Sequence, residues 1–267
     1  MVKFLAGRCD SIFSALALGV SATQNQFFML LQYCLVTFLL GSGMYFSVKA
    51  GKLTEAGAVT GGLLGLAIFM GAGFTGLAML GTFFVAGTVA TSWKMNYKIS
   101  LGLVEENKGR RTAGQAWANG GVAGLLGLLS WCYPAQSDLF QVMLAASFAA
   151  ATSDTLSSEL GNVYGRKYYN ILTLRPDQRG LNGVVSVEGT LWGIAGSGLI
   201  GCCYGLGFGW NGGVWCVVLA GLIGNISDSL LGATLERRSF LSNNAVNFLN
   251  TGIGALAALL IFAAAGL

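Results

Sequence analysis

The chain has 267 residues, 54% of them hydrophobic and only 10% charged, with 41 glycines, two prolines and no histidine. Its mean hydropathy is +0.65. Soluble domains carry about 25% charged residues, so this composition excludes a soluble globular domain. High hydrophobicity excludes disorder. The absence of histidine excludes imidazole acid–base chemistry and His-ligated zinc, copper or haem. What remains is an all-α, polytopic transmembrane helix bundle.

Residues 1–26 form an apolar segment interrupted by Arg8 and Asp10. It reads as a span, an interfacial helix or a poor signal peptide. No A-x-A cleavage site follows, which favours a retained segment. From there the chain reads as one integral membrane domain, 27–267. Apolar runs near the spanning length of about 20 residues recur. They predict helices over 27–48, 54–72, 75–92, 116–133, 139–160, 185–208, 213–235 and 246–266, about eight spans, with six to nine compatible.

The six cysteines (Cys9, Cys34, Cys132, Cys202, Cys203 and Cys216) form no C-x-x-C pair. They read as small apolar packing residues. Glycines at four-residue spacing mark close helix contacts. One stripe is Gly57, Gly61 and Gly65. The other runs through Gly189, Gly193, Ser197, Gly201, Gly205 and Gly209, which places 185–208 at the centre of the bundle.

Charge falls on one side of this topology. Lys49, Lys52, Lys94, Lys98, Lys108, Arg110, Arg111, Arg166, Lys167, Arg175, Arg179, Arg237 and Arg238 all sit in the connections after the first, third, fifth and seventh spans. The intervening connections carry only Asp138. Basic loops face the cytoplasm, so the expected location is the cell membrane, with the basic side cytoplasmic. The net charge of +4 is mild and gives no ground for a nucleic-acid partner.

Two acids lie inside spans, where ionisable residues are costly and functional by default. Asp154 and Asp228 are each about seven residues from a helix end, or roughly 10 Å below the basic face at 1.5 Å per residue. Matched depth suggests one shared site. Their surroundings repeat: Ser153-Asp154-Thr155-Leu156 against Ser227-Asp228-Ser229-Leu230, then Asn182-Gly183-Val184 against Asn244-Ala245-Val246. This reads as a repeated helix pair about an axis normal to the membrane.

More polar residues gather at that level. Asp154 shares a helix face with Ser158, and Thr155 with Glu159. Gln115 and Asn119 open the fourth span, Glu188 the sixth, and Asn243, Asn244 and Asn247 the last. Each also has a structural reading: an Asn243 or Asn244 cap, a Glu188 dipole partner, or Glu159 paired with Arg166 or Lys167.

Carboxylates without histidine suit a hard cation such as Mg²⁺, which takes one or two carboxylates plus substrate phosphates. Basic loops suit phosphate. Together with a membrane-embedded site they suggest phosphoryl transfer to or from a lipid phosphate. An acceptor that is already a phosphate monoester needs no protein base, because its second pKa is near 6.

At these residues the sequence resembles the membrane family that contains the plant and cyanobacterial phytyl-phosphate kinases and animal transmembrane protein 19. The resemblance runs from about residue 28 to the C-terminus. It rests on the segments 51–58, 109–120, 153–161, 182–190, 228–234 and 243–248. It implies phosphorylation of an isoprenoid monophosphate to the diphosphate, with a nucleoside triphosphate as co-substrate and Mg²⁺. It implies a catalytic metal role for Asp154, Glu159 and Asp228. It implies phosphate or nucleotide contacts for Arg110, Arg111, Gln115, Asn119, Asn182, Ser186, Asn244 and Asn247. Lys98, Arg179, Gly183 and Asn243, in the same loops and motifs, complete the candidate set. The chain departs from the family at Asp177-Gln178-Arg179-Gly180-Leu181, where Pro-Gly-Thr is expected, and at Glu188, where an apolar residue is expected. An ion-coupled transporter or lipid flippase, and a non-catalytic membrane scaffold, are the competing readings. The first favours acids at the midplane rather than near one face.

Overall fold

The computed structural model describes residues 22–104 and 109–266, with side chains from residue 26. The expected segment 1–26 therefore lies almost wholly outside the described residues, as does Lys108. The helices are α1 (Ala22–Lys49), α2 (Glu55–Ser92), α3 (Met95–Ser100), α4 (Ala113–Cys132), α5 (Ser137–Tyr164), α6 (Val187–Phe208), α7 (Gly212–Leu231) and α8 (Asn243–Ala265). A two-residue antiparallel ladder, β1 (Tyr169–Asn170) with β2 (Val184–Val185), holds the α5–α6 loop, Tyr169 opposite Val185. A π-helical turn, Gly232–Glu236, extends α7.

As one straight rod, the 38 residues of α2 would be about 57 Å long. Instead the chain breaks at Gly73, whose φ of 57° and ψ of −150° lie outside the helical region. The two arms fold back on each other. Lys52 Nζ, just before the first arm, donates to Ser92 Oγ at the end of the second, at 2.9 Å, and Phe69 meets Phe74 edge-on across the bend. The break frees backbone carbonyls at membrane depth, where none can be left unpaired. Gly71 O accepts from Ser130 Oγ of α4 at 2.8 Å and from Gln141 Nε2 of α5 at 2.9 Å. Six helical runs are long and apolar enough to cross a membrane. One of them is this hairpin, and α4 has spanning length with 20 residues. The six runs fall at the low end of the six to nine spans expected; counting both arms of the hairpin and α4 gives eight segments of membrane length among the described residues.

The central helix is α5, not α6. Its residues 142–153 are buried on every face, and it packs against α2, α4, α6, α7 and α8. The reason is side-chain size: Ala145, Ala146, Ser147, Ala149, Ala150, Ala151, Thr152 and Ser153 leave room for neighbouring backbones. Glycines of three helices seat on it. A Cβ at Gly221 or Gly224 of α7 would fall 2.6 or 2.5 Å from the Cβ of Ala149 or Ala150, and one at Gly254 of α8 would fall 2.8 Å from that of Ala150. The α6 stripe meets α5 through Gly189 and Gly193, then turns to α7, where Ser197 Oγ donates to Val218 O at 3.0 Å. A glycine stripe marks a contact, and here it marks the partner's approach to α5. Helix α1 lies outside, packed chiefly on α2, with Val36 its one buried apolar side chain among the described residues.

The four basic connections interlock at one end. Arg111 N donates to Lys52 O at 2.9 Å and Thr54 N to Arg111 O at 3.0 Å. Trp93 Nε1 donates to Tyr164 OH at 2.8 Å. Arg237 pairs with Asp177 at 2.8 Å, which holds the Asp177 carboxyl below its usual range. The helices that leave this end, α2, α4, α6 and α8, each begin with a hydroxyl cap: Thr54, Thr112, Ser186 and Ser242.

Replacing Gly73 with alanine forces a side chain into a backbone conformation that costs about 1–3 kcal/mol. The expected outcome is a lower thermal midpoint for the detergent-solubilised protein. Gly81→Ala, in open space on the second arm, is expected to leave the midpoint unchanged or raise it.

Candidate functional site

The loop end encloses a polar cavity of about 310 Å³. Its walls come from the end of α2, α3, the first turns of α4 and α8, the last turns of α5, the end of α7 and the segment 180–186.

At its base, Asp154 of α5 and Asp228 of α7 come within hydrogen-bonding reach of each other. The close crossing one to two turns below, Gly221 and Gly224 against Ala149 and Ala150, brings them together. Their matched depth in the sequence thus corresponds to proximity in the bundle. Two carboxylates this close repel one another unless a shared proton or a bound cation lies between them. Asn250 of α8, 1% exposed, donates to Asp228 Oδ1 at 3.4 Å. Its own Oδ1 is buried without a hydrogen-bond partner, as is Ser153 Oγ beside Asp154. The donor set is all oxygen, which suits a hard divalent cation with phosphate and water completing its shell. No three acids or cysteines come close enough to hold an ion by themselves among the described residues.

Glu159 stands apart from that pair. Its Oε2 accepts from Lys98 Nζ at 2.6 Å, and Lys98 also donates to Ala90 O at 3.0 Å and Thr91 O at 2.7 Å. The three ammonium protons are thus all used. Lys98, 2% exposed, closes the carbonyl end of the second α2 arm, where a cation is favoured. Glu159 therefore pairs with Lys98 rather than with Arg166 or Lys167. Arg166 instead lies 3.9 Å from Glu188.

Arg111 enters the same cavity from the loop. Its guanidinium lies over the rings of Phe83 at 4.8 Å and Phe84 at 5.7 Å. It fits because residue 87 is glycine; a Cβ there would collide with Nη2. Burial lowers its pKa to about 10, against the opposing pull of Glu159, so it stays cationic at neutral pH. Rings rather than a carboxylate hold it among the described residues.

Three helices begin at the cavity. Gln115, which completes a capping box with Thr112 in α4, Ser186 at the head of α6 and Asn243 at the head of α8 all line it. Helix N-termini present unpaired N–H groups and positive dipole ends, which favour anions. Asn119, Asn182, Gly183 and Asn247 also reach the wall.

Three expected residues do not line the cavity. Arg110 Nε donates to Leu53 O at 3.1 Å and fastens two loops. Arg179 stacks on Tyr168 at 4.8 Å and donates to Tyr97 OH at 3.1 Å. Asn244 faces Gly114 across α4 and α8. The repeat also holds only in part. Ser186 and Ser242 cap equivalent helices, but Asn182 precedes its cap by four residues and Asn244 follows its cap by two. Reading the sequence missed Asn225, Ser229 and Glu236, which line the cavity, and Asn250 beneath it. Asn250 was legible as the next turn of the stripe Asn243, Asn247.

A protein family described as integral membrane protein DUF92 matches residues 35–255. The chain is 33% identical over 237 residues to Protein VTE6, chloroplastic, of Arabidopsis thaliana, covering 85% of this chain and 69% of that protein. It is 36% identical over 208 residues to an uncharacterized membrane protein of Synechocystis sp., covering 77% and 81% of the two chains. It is 32% identical over 219 residues to an uncharacterized membrane protein of Methanocaldococcus jannaschii, covering 80% and 87%. No solved structure matches the chain.

Removing one partner of a fully buried ion pair costs about 3–5 kcal/mol. The Glu159 side chain is 26% exposed, so Lys98→Met is expected to cost less than that. The double replacement Lys98→Met with Glu159→Gln recovers part of the loss. Unfolding of the solubilised protein measures both.

Proposed function

The chain belongs to the DUF92 family of integral membrane proteins, and on that premise we propose that it is a membrane phosphotransferase which phosphorylates an isoprenoid monophosphate to the diphosphate. The donor is a nucleoside triphosphate and the cation is Mg²⁺. The observation that carries this reading is the meeting of Asp154, Asp228 and Arg111 in one polar cavity at the basic end of a membrane bundle. The basic end is then the cytoplasmic side, where nucleotide is available.

Phosphoryl transfer is mostly positioning and charge neutralisation. A divalent cation on Asp154 and Asp228 supplies neutralisation of the phosphate oxygens when bound. Arg111 adds a planar, permanently charged donor that grips phosphate oxygens in pairs. Its aromatic support fixes the guanidinium plane, so little freedom is lost on binding. The heads of α4, α6 and α8 direct N–H groups and dipoles at the same space.

An oxygen of the acceptor monophosphate attacks the terminal phosphorus of the donor, and the bond to the bridging oxygen breaks to release the nucleoside diphosphate. The acceptor, with a second pKa near 6, is already largely ionised, so no residue need take a proton. That suits a chain without histidine. Asp154 and Asp228 lie below the loops at lipid level, so a phosphate head reaches them while its prenyl chain stays in the bilayer.

The test is transfer from labelled ATP or CTP to farnesyl, geranylgeranyl and phytyl phosphates by the purified protein with Mg²⁺. The expected product is the diphosphate. Asp154→Asn, Asp228→Asn and Arg111→Gln are each expected to lower turnover about 10²–10³-fold, the usual cost of losing one electrostatic element of a transition state. No transfer to any of these acceptors, or full transfer in the two aspartate variants, overturns the proposal.

A further inference from the structure

All six tryptophans of the chain are exposed, and each lies within two turns of a helix end. Trp93, Trp117 and Trp192 stand at the basic end, and Trp131, Trp210 and Trp215 at the other. Exposed indoles in two such girdles mark the headgroup levels of a bilayer. The surface beside Trp93 and Trp192 therefore meets lipid headgroups at the basic end.

One stretch of that girdle carries charge. Tyr164 is its hub, where α2, α5 and α6 come together. Trp93 Nε1 donates to the Tyr164 hydroxyl at 2.8 Å. The Trp192 ring lies 6.2 Å from the Tyr164 ring between centroids, and the Lys94 ammonium sits 5.1 Å from the same centroid. All three rings remain exposed. Glu188 is one turn from Trp192 on the same face of α6. Arg166, 3.9 Å from Glu188 and with its side chain 90% exposed, borders the notch from just beyond α5.

Lys94 takes an unfavourable backbone to reach this place. Its φ of 46° and ψ of 40° are left-handed, a conformation disfavoured for any residue with a side chain. Its side chain makes no cap hydrogen bond for α3. A ring face holds an ammonium without using its protons, which stay available to an oxygen anion. Lys98, four residues on, has every proton matched instead.

We propose that this notch binds the head of an anionic phospholipid from the surrounding leaflet. Lys94 and Arg166 meet the phosphate, and Trp93, Tyr164 and Trp192 pack against the glycerol and the upper acyl chains. A zwitterionic head fits less well, because its own ammonium would face two cations. Basic pockets between spans at the membrane surface take anionic heads in this way. None of these five residues lines the polar cavity, so the inference is independent of the phosphotransferase reading.

The test is titration of the full-length protein in detergent micelles with phosphatidylglycerol and with phosphatidylcholine, bound lipids being counted by native mass spectrometry. The first phosphatidylglycerol is expected to bind more tightly than phosphatidylcholine. Lys94→Gln and Arg166→Gln are each expected to weaken it about fivefold, the usual contribution of one basic residue near anionic lipid. Lys94→Gly is expected to weaken it as much while leaving the thermal midpoint unchanged or raised, since glycine relieves the left-handed backbone. That pairing separates a binding role from a folding one. Arg238→Gln, the same charge change elsewhere at the basic end, is expected to bind as the unaltered chain does. Equal affinity for the two lipids, unchanged affinity in both Lys94 variants, or an equal loss in Arg238→Gln overturns the proposal.

Discussion

Asp154 and Asp228 come within hydrogen-bonding reach of one another below the loop end of a membrane bundle, and the groups around them answer to that approach. Two carboxyl groups at lipid depth are tolerated only with positive charge between them and polar groups about them. The bundle supplies a polar cavity, an amide from Asn250 and the guanidinium of Arg111 on the opposite wall. The approach itself is a packing result. Because α5 carries alanine and serine where other spans carry leucine and phenylalanine, α7 approaches until Gly224 seats on Ala150, and the next turn of each helix presents its aspartate. Larger residues at those crossings would part the acids.

The same economy of volume admits Arg111. A cation at this depth is expensive, and the structure offsets its cost with two aromatic faces and a glycine at 87. Lys98 is handled differently, with every proton matched to Glu159 or a helix-end carbonyl. One basic residue is thus closed into the frame while the other faces the cavity held by rings. That contrast fits Lys98 to holding the frame, and it is why the proposed function gives the anion to Arg111.

The spans, the hairpin bend, the single basic end and the pairing of the two aspartates were legible in the sequence. They depend on hydropathy, charge and depth along a helix, which are local quantities. The central position of α5 was not legible, because a glycine stripe shows that a helix is closely approached without showing by which neighbour. The partner of Glu159 was hidden for a related reason. Lys98 reaches it only because α3, entered through the left-handed Lys94 (φ 46°), turns back over the end of α2. Glu236 was concealed by register: it lines the cavity from a π-turn, Gly232–Glu236, that departs from the count of 3.6 residues per turn. The Asn-x-Val repeat misled because the loop before α6 is longer than that before α8, so similar letters occupy different turns.

The account stands on a cation between two aspartates. The most direct measurement is the anomalous X-ray signal from crystals grown with Mn²⁺ and a non-transferable nucleotide analogue. The account predicts a dominant peak between the carboxyl groups, about 2.1 Å from an oxygen of Asp154 and of Asp228. A map with no peak there, or with Mn²⁺ bound elsewhere and the two acids apart, contradicts it.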